Sequence, residues 1–277
     1  MAVPHETTLR QAVLAAIVLH DLDAVPEDGG VLLCGSRLVP WTHVAHASLG
    51  CPTGSPAERT KIGRFLVQAT AMAGWSDHEI TVRLRPLGLP TNHQLHPGTA
   101  WVRESVLGGS LDLGFGVLGA FTDPDEVSVL LPGVLAAFGL QSEPWWGRSR
   151  TYLEEMGAIA AARLRRDPDG PLRPMGDCDV VTLLASRVLR AAMVGSQGVR
   201  TAAVPMRRRG WLDLSRTDPA FALAAYAAAD DFDRGFPRPL LLSVDEVVLA
   251  KAGGDVLKQV LREPVAPDPQ PLTVPYR

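Results

Sequence analysis

Residues 100–117 read AWVRESVLGGSLDLGFGV, and this stretch indicates the fold class. Two runs of strand character, Ala100–Val106 and Leu111–Val117, are joined by residues 107–110 (LGGS). Two such runs separated by a Gly-Gly turn predict an antiparallel hairpin. Segments with helical spacing and capping signals lie on both sides of it. The sequence therefore predicts an α+β fold, in which helices are mixed with hairpin-like antiparallel strand pairs.

The flanking segments carry further signals. Residues 55–58 (SPAE) place a capping residue, a first-turn proline and a capping-box glutamate in register, which predicts a helix that Gly74 ends. Residues 80–84 alternate between apolar and polar positions, which predicts a strand. Residues 123–126 (DPDE) repeat the capping pattern and predict a short helix that ends near Pro132.

The domain organisation has two solutions. A chain of 277 residues makes one large domain or two small ones. In the two-domain case, residues 1–140 form an N-terminal half that contains all the histidines. Residues 151–262 form a C-terminal half that contains a basic segment. Residues 141–150, which contain a proline, a glycine and two tryptophans, are then the linker. A proline-rich arm, residues 263–277, follows, and we expect it to lie on its own domain or on the second subunit of a homodimer.

Composition and charge exclude several classes of protein. Hydrophobic residues make up 46% and charged residues 21%, which excludes disordered and fibrous chains. The net charge of −3 argues against a general nucleic-acid binder. The apolar run Ala12–Leu19 is too short to span a bilayer, and three cysteines are too few for a disulfide framework. We therefore expect a soluble cytoplasmic protein with no membrane partner.

The basic segment, residues 187–216, is the most coherent local feature. It holds seven arginines and one acid, Asp213, in a chain that is acidic overall. Arginine donates in bidentate fashion to phosphate or carboxylate, and tryptophan stacks on flat groups. The predicted ligand-binding residues are Arg187, Arg190, Arg207, Arg209 and Trp211. We expect them to bind an anionic small molecule or an acidic protein surface.

All seven histidines lie within the first 96 residues, and four of them form two spaced pairs. The pairs are His43-x-x-His46 and His93-x-x-His96, with Cys51 near the first. Imidazole and thiolate are ligands that zinc prefers, so His43, His46, His93 and His96 are candidate zinc ligands. The alternative is four surface or hydrogen-bonding histidines in one loop-rich region.

Cys34 follows an apolar strand and precedes Gly35-Ser36, where a turn can expose a nucleophile. Its alternative role is that of a small buried hydrophobe. Cys34 and the histidines together indicate an alternative to the anion-binding protein. In this alternative the chain is a metal-dependent or Cys-His hydrolase-like enzyme, with its centre in residues 34–96. The sequence does not decide whether the chain is an enzyme.

Residues 114–119 (GFGVLG) match the glycine spacing G-x-G-x-x-G of dinucleotide-binding loops. That function needs a helix directly after the last glycine, so that its N-terminus meets the phosphates. The next capping signal comes only at Asp123. We therefore expect a strand end or bulge here and no nucleotide site.

Overall fold

The computed structural model describes residues 4–98, 101, 103–106, 108–121, 125–141, 143–213 and 215–250. Its α-helices are α1 (Pro4–His20), α2 (Trp41–Ala47), α3 (Pro56–Ala73), α4 (Asp77–Arg83), α5 (Val134–Ala137), α6 (Glu143–Arg166), α7 (Val180–Leu183), α8 (Arg187–Val194) and α9 (Pro219–Ala228). Its strands are β1 (Ala24–Pro26), β2 (Gly30–Leu33), β3 (Arg37–Pro40), β4 (Leu84–Pro90), β5 (Arg103–Val106), β6 (Leu111–Leu118), β7 (Val127–Val129), β8 (Arg200–Met206), β9 (Arg209–Trp211), β10 (Leu240–Leu242) and β11 (Val247–Leu249).

The strands form three antiparallel sheets, which together with the helices confirm the α+β prediction. Their orders are β1-β2-β3, β4-β6-β5 with β7 also paired to β6, and β11-β10-β8-β9. The predicted hairpin is β5 and β6, in which Ser105 pairs with Asp112. Its turn contains Gly108 at φ 69° and Gly109 at φ 75°, a backbone conformation that favours glycine.

Two hydrophobic cores meet on one face of β6. Phe115 and Val117 lie in the first core, among α1, α3 and the first sheet. Leu111 and Leu113 lie in the second core, among α6, α8 and the third sheet. These four side chains share a face because strand residues alternate. The division of the chain into two halves stays a prediction, and the proline-rich arm, residues 263–277, lies outside the described residues.

The opposite face of β6 explains the glycine spacing at residues 114–119. A Cβ on Gly114 would lie 2.4 Å from Cζ2 of Trp101, and one on Gly116 would lie 2.4 Å from a methyl group of Val127. The two glycines therefore make room for side chains that cover the sheet. Gly119, at φ 70°, ends the strand, and neither of the next two residues is helical, as expected.

Three predictions of secondary structure are wrong. The strand predicted at residues 80–84 is wrong, because residues 77–83 form helix α4. Ser76 and Glu79 begin this helix with a capping box. Residues 127–129 form β7, because they pair with β6 rather than continue a helix from Asp123, which lies outside the described residues. Most of the expected linker, residues 141–150, belongs to α6, whose first turn accommodates a proline.

Within the described part of the chain, none of the helices combines the length and the apolar character that crossing a membrane requires.

Candidate functional site

Arg190, the innermost of the predicted ligand-binding arginines, is held by backbone carbonyl groups. Its side chain is buried, its Nε donates to the Val244 carbonyl at 2.9 Å, and one terminal nitrogen donates to the Leu184 carbonyl at 2.6 Å. Burial lowers the pKa of Arg190. The structure therefore places this guanidinium where it joins α8 to two neighbouring loops.

Two further arginines of the predicted set pair with acids. Nε and one terminal nitrogen of Arg207 both lie 2.7 Å from the same carboxylate oxygen of Asp179. Arg187 lies 3.0 Å from Asp245, and both side chains of that pair are largely exposed. Because exposed ion pairs are weak, Arg187 remains accessible to another anion, whereas Arg207 is fixed in place.

Arg209 and Trp211 do lie together, and a second arginine from the same segment lies against the same ring. The guanidinium carbon of Arg209 is 5.5 Å from the centroid of the Trp211 ring, and that of Arg216 is 5.8 Å from it. Trp211 itself is buried and meets Phe221 edge-on at 5.3 Å. Strand alternation places Arg209 and Trp211 on one face of β9.

One neighbouring arginine extends this group. Leu172 and Gly210 exchange both backbone hydrogen bonds, at 2.7 and 3.2 Å, so Arg173 lies opposite Arg209 across an antiparallel bridge. Arg208, in the turn before β9, is exposed but lies by Asp233, whose carboxylate accepts the Arg208 N–H at 3.2 Å. We use the name Trp211 surface for Arg173, Arg209, Trp211 and Arg216.

One acid approaches the Trp211 surface at its edge. An oxygen of Asp213 lies 3.9 Å from Nε of Arg216. Hydrogen bonds from the Ser215 hydroxyl and from the Arg216 N–H lower the pKa of Asp213. At 3.9 Å this carboxylate neutralises Arg216 only in part.

The second histidine pair holds its own loop together. Nδ1 of His93 accepts the Leu95 N–H at 3.1 Å, and Nδ1 of His96 accepts the Gly98 N–H at 3.0 Å. A ring nitrogen that accepts a backbone N–H carries no proton, so in each ring the proton is on Nε2. His96 then donates this proton to Asp112 at 2.9 Å.

His93 is buried, and its Nε2 makes no hydrogen bond within the described residues. Burial lowers the pKa of His93 to about 4, and the guanidinium of Arg207 acts in the same direction. The carbonyl of Arg234 and the carboxylate of Asp179 act against this shift. His93 is therefore neutral at pH 7 and lies next to the ion pair formed by Arg207.

The zinc prediction finds no support in this geometry. His43 and His46 lie on α2, whereas His93 and His96 lie in the loop after β4 and have their Nδ1 atoms occupied. Across the residues that the structure describes, no three His, Cys, Asp or Glu side chains are grouped as metal ligands.

Cys34 and Cys178 are not activated as nucleophiles. Cys34 lies in a turn at φ 49°, its thiol donates to the Thr70 carbonyl at 3.7 Å, and burial raises its pKa. Burial raises the pKa of Cys178 to about 12. Because the thiolate is the reactive form, both groups are poor nucleophiles at neutral pH. Cys51, the third cysteine, is half-buried.

Sequence reasoning missed a buried carboxylate on β6. Asp112 is 3% exposed at its side chain and contacts both His96 and Arg103, whose Nε lies 2.6 Å away. The signal was present in the sequence, since Asp112 is a lone acid between two leucines of a predicted strand. Its partners were not predictable, because the loop that carries His96 has no regular pattern.

Comparisons with protein-family models, with curated proteins and with solved structures found no match to this chain.

Proposed function

We propose that the protein binds an anionic ligand or an acidic partner at the Trp211 surface. The observation that carries the proposal is the approach of two guanidinium groups, Arg209 and Arg216, to one indole ring. The two guanidinium carbons lie 5.5 and 5.8 Å from the ring centroid, so positive charge is concentrated around this ring and attracts an anion bound beside it. The ring restricts both side chains, so less conformational entropy is lost when they bind.

The other arginines of the basic segment support this choice by their own contacts. Arg190 and Arg207 are held by carbonyl groups and by Asp179, so their role is to stabilise the fold around the site. Arg173, Arg209 and Arg216 are exposed at the Trp211 surface. This distribution favours a ligand with several negative groups, such as a polyphosphate or an acidic peptide segment, because each exposed contact is individually weak.

The alternative function, a metal-dependent or Cys-His hydrolase, has less support from the contacts of its candidate residues. Burial raises the pKa of the Cys34 and Cys178 thiols, and His93 and His96 each use Nδ1 to close their own loop. Anion binding is therefore the better supported of the two functions.

The test compares two double variants by equilibrium binding to inorganic tripolyphosphate and to a poly-glutamate peptide. R209A/R216A removes two charges from the Trp211 surface. The matched control, R165A/R166A, removes two exposed charges from the last turn of α6. We expect the first variant to weaken binding about tenfold or more, since hydrogen bonds to charged groups are involved, and the control to change it little.

Salt provides the second readout. Because exposed charges are screened, wild-type affinity should fall with ionic strength, and R209A/R216A should show a shallower fall. Equal losses in both double variants would show that only net charge matters. That result, or undetectable binding of both probes by the wild-type protein, would contradict the proposed function.

A further inference from the structure

A cleft of about 440 Å³ opens between β5 and the N-terminal half of α6. Its walls are Arg103 and Glu104 of β5, and Trp146, Gly147 and Arg150 of α6. The cleft is widely open to solvent, and its volume lies within the range of small-molecule sites. Two guanidinium groups, a carboxylate and an indole therefore face one concave space, apart from the Trp211 surface.

The buried Asp112 fixes one wall of the cleft. Its carboxylate accepts the Nε2–H of His96 at 2.9 Å and forms an ion pair with Arg103, whose Nε lies 2.6 Å away but not in hydrogen-bond geometry. A carboxylate buried within a sheet destabilises the fold unless it is well paired. Here the ion pair with Asp112 holds the Nε side of the Arg103 guanidinium, and Arg103 also lines the cleft.

The opposite wall is held more loosely. Arg150 pairs with Glu104, but the Arg150 side chain is 59% exposed and the Glu104 side chain 33%. Such an exposed pair contributes little, so a ligand anion can replace Glu104 at Arg150. Gly147 adds space, because a Cβ at that position would meet no atom within 4 Å.

Trp146 supplies a flat apolar surface at the cleft. Its ring packs against Phe115 with 4.5 Å between centroids, which fixes the indole to the first core. Trp146 is nevertheless only half-buried and lines the cleft. A fixed and partly exposed indole favours a planar ring on the ligand.

We propose that this cleft binds a small aromatic carboxylate. The planar guanidinium matches a carboxylate in bidentate geometry, so the ligand anion lies between Arg103 and Arg150 while its ring packs on Trp146. Asp112 and Glu104 already pair with the two arginines, so the cleft carries little net positive charge and offers little extra attraction to the second charge of a phosphate, which favours a monoanionic carboxylate. This site does not depend on the Trp211 surface.

The test is calorimetric titration with benzoate and with indole-3-carboxylate. Cyclohexanecarboxylate lacks the aromatic ring and benzamide lacks the charge, so both should bind more weakly. R150A should raise the Kd about tenfold, and R148A, an exposed arginine of the same helix outside the cleft, should leave it unchanged. E104Q should lower the Kd about threefold, because it removes the competing carboxylate.

The variants D112N and R103A test the positioning of the first wall, with circular dichroism as the check on folding. Because Arg150 is exposed, R150A remains informative even if these two variants do not fold. Lack of saturable binding below about 10 mM, or equal losses in R150A and R148A, overturns the proposal. Equal affinity for benzoate and cyclohexanecarboxylate overturns its aromatic part. R209A/R216A should bind benzoate like the wild-type protein, which separates this site from the Trp211 surface.

Discussion

Gly157 of α6 and Ser186, the N-cap of α8, lie so close that a Cβ on Gly157 would fall 1.9 Å from the Ser186 hydroxyl oxygen. Ser186 is fully buried, and its hydroxyl accepts the Leu189 N–H at 3.2 Å. The close crossing of α6 and α8 therefore requires glycine at position 157, and the crossing in turn sets the position of the α8 N-terminus.

We expect G157A to destabilise the protein by about 2 kcal/mol, because overpacking outweighs the gain in helix propensity. The control is G147A in the same helix, where a Cβ meets no atom within 4 Å. G147A should leave stability unchanged or raise it by up to about 1 kcal/mol. Urea unfolding measures both variants. A loss of stability in G147A as large as that in G157A would show that the crossing is not the cause.

Glu154 of α6 caps α8 from outside that helix. Its carboxylate accepts the Ser186 hydroxyl at 2.7 Å, the Arg187 N–H at 3.0 Å and the Val188 N–H at 3.1 Å. We expect E154A to lower the free energy of unfolding by about 2 kcal/mol, because two N–H groups of the first helical turn lose their acceptor. E155A, at the exposed neighbouring position, should change it by less than about 0.5 kcal/mol. Similar losses in the two variants would disprove the capping role.

His93 should make stability fall in mild acid. Its pKa is about 4 in the folded protein and near 6.5 in the unfolded chain, so the unfolded chain takes up the proton first as the pH falls. Stability from this group is complete above pH 6.5 and decreases as the pH falls toward 4, by about 3 kcal/mol in all.

The variant H93Q should therefore show a flatter dependence of unfolding free energy on pH across that range. Denaturant titrations at several pH values measure it, and H46Q, with the exposed His46 of α2, is the control. Identical pH profiles for H93Q and the wild-type protein would rule out His93 as the acid-sensitive group.

The contact between Gly114 and Trp101 can be used to test whether the glycines of β6 are needed for packing. G114A places a Cβ 2.4 Å from the indole, so we expect a loss of about 2 kcal/mol and a shifted Trp101 fluorescence spectrum. In a W101F background the outer indole atoms Cζ2 and Cη2 are absent, so the same substitution should be better tolerated. A double-mutant cycle measures this coupling, and additive losses would exclude the contact.

The β5–β6 hairpin and the helix from residue 56 were predictable, because local chemistry determines them. Glycines at φ 69° and 75° make the hairpin turn, and the Ser55 side chain caps α3 as its spacing predicts. The strand predicted at residues 80–84 failed where two local signals conflicted. Apolar alternation favoured a strand, but the capping box of Ser76 and Glu79 begins a helix there.

The candidate site was less predictable because its partners are distant in sequence. Arg207 meets Asp179, 28 residues away, and Arg190 meets the Val244 carbonyl, 54 residues away. A run of arginines shows that positive charge is concentrated, but not which of these charges the fold neutralises. The cleft between β5 and α6 was beyond sequence reasoning for the same reason, since two elements that are not adjacent in the chain form its walls.

One face of β6 also bears on how such a chain is inherited. Phe115 and Val117 pack in the first core, while Leu111 and Leu113, a few residues earlier, pack in the second. Suppose that genetic recombination replaced the residues of one core, together with β6, by those of a related chain. The core that was not replaced would then pack against β6 side chains that had not evolved with it. The smallest unit that such an exchange can transfer intact is therefore larger than either core.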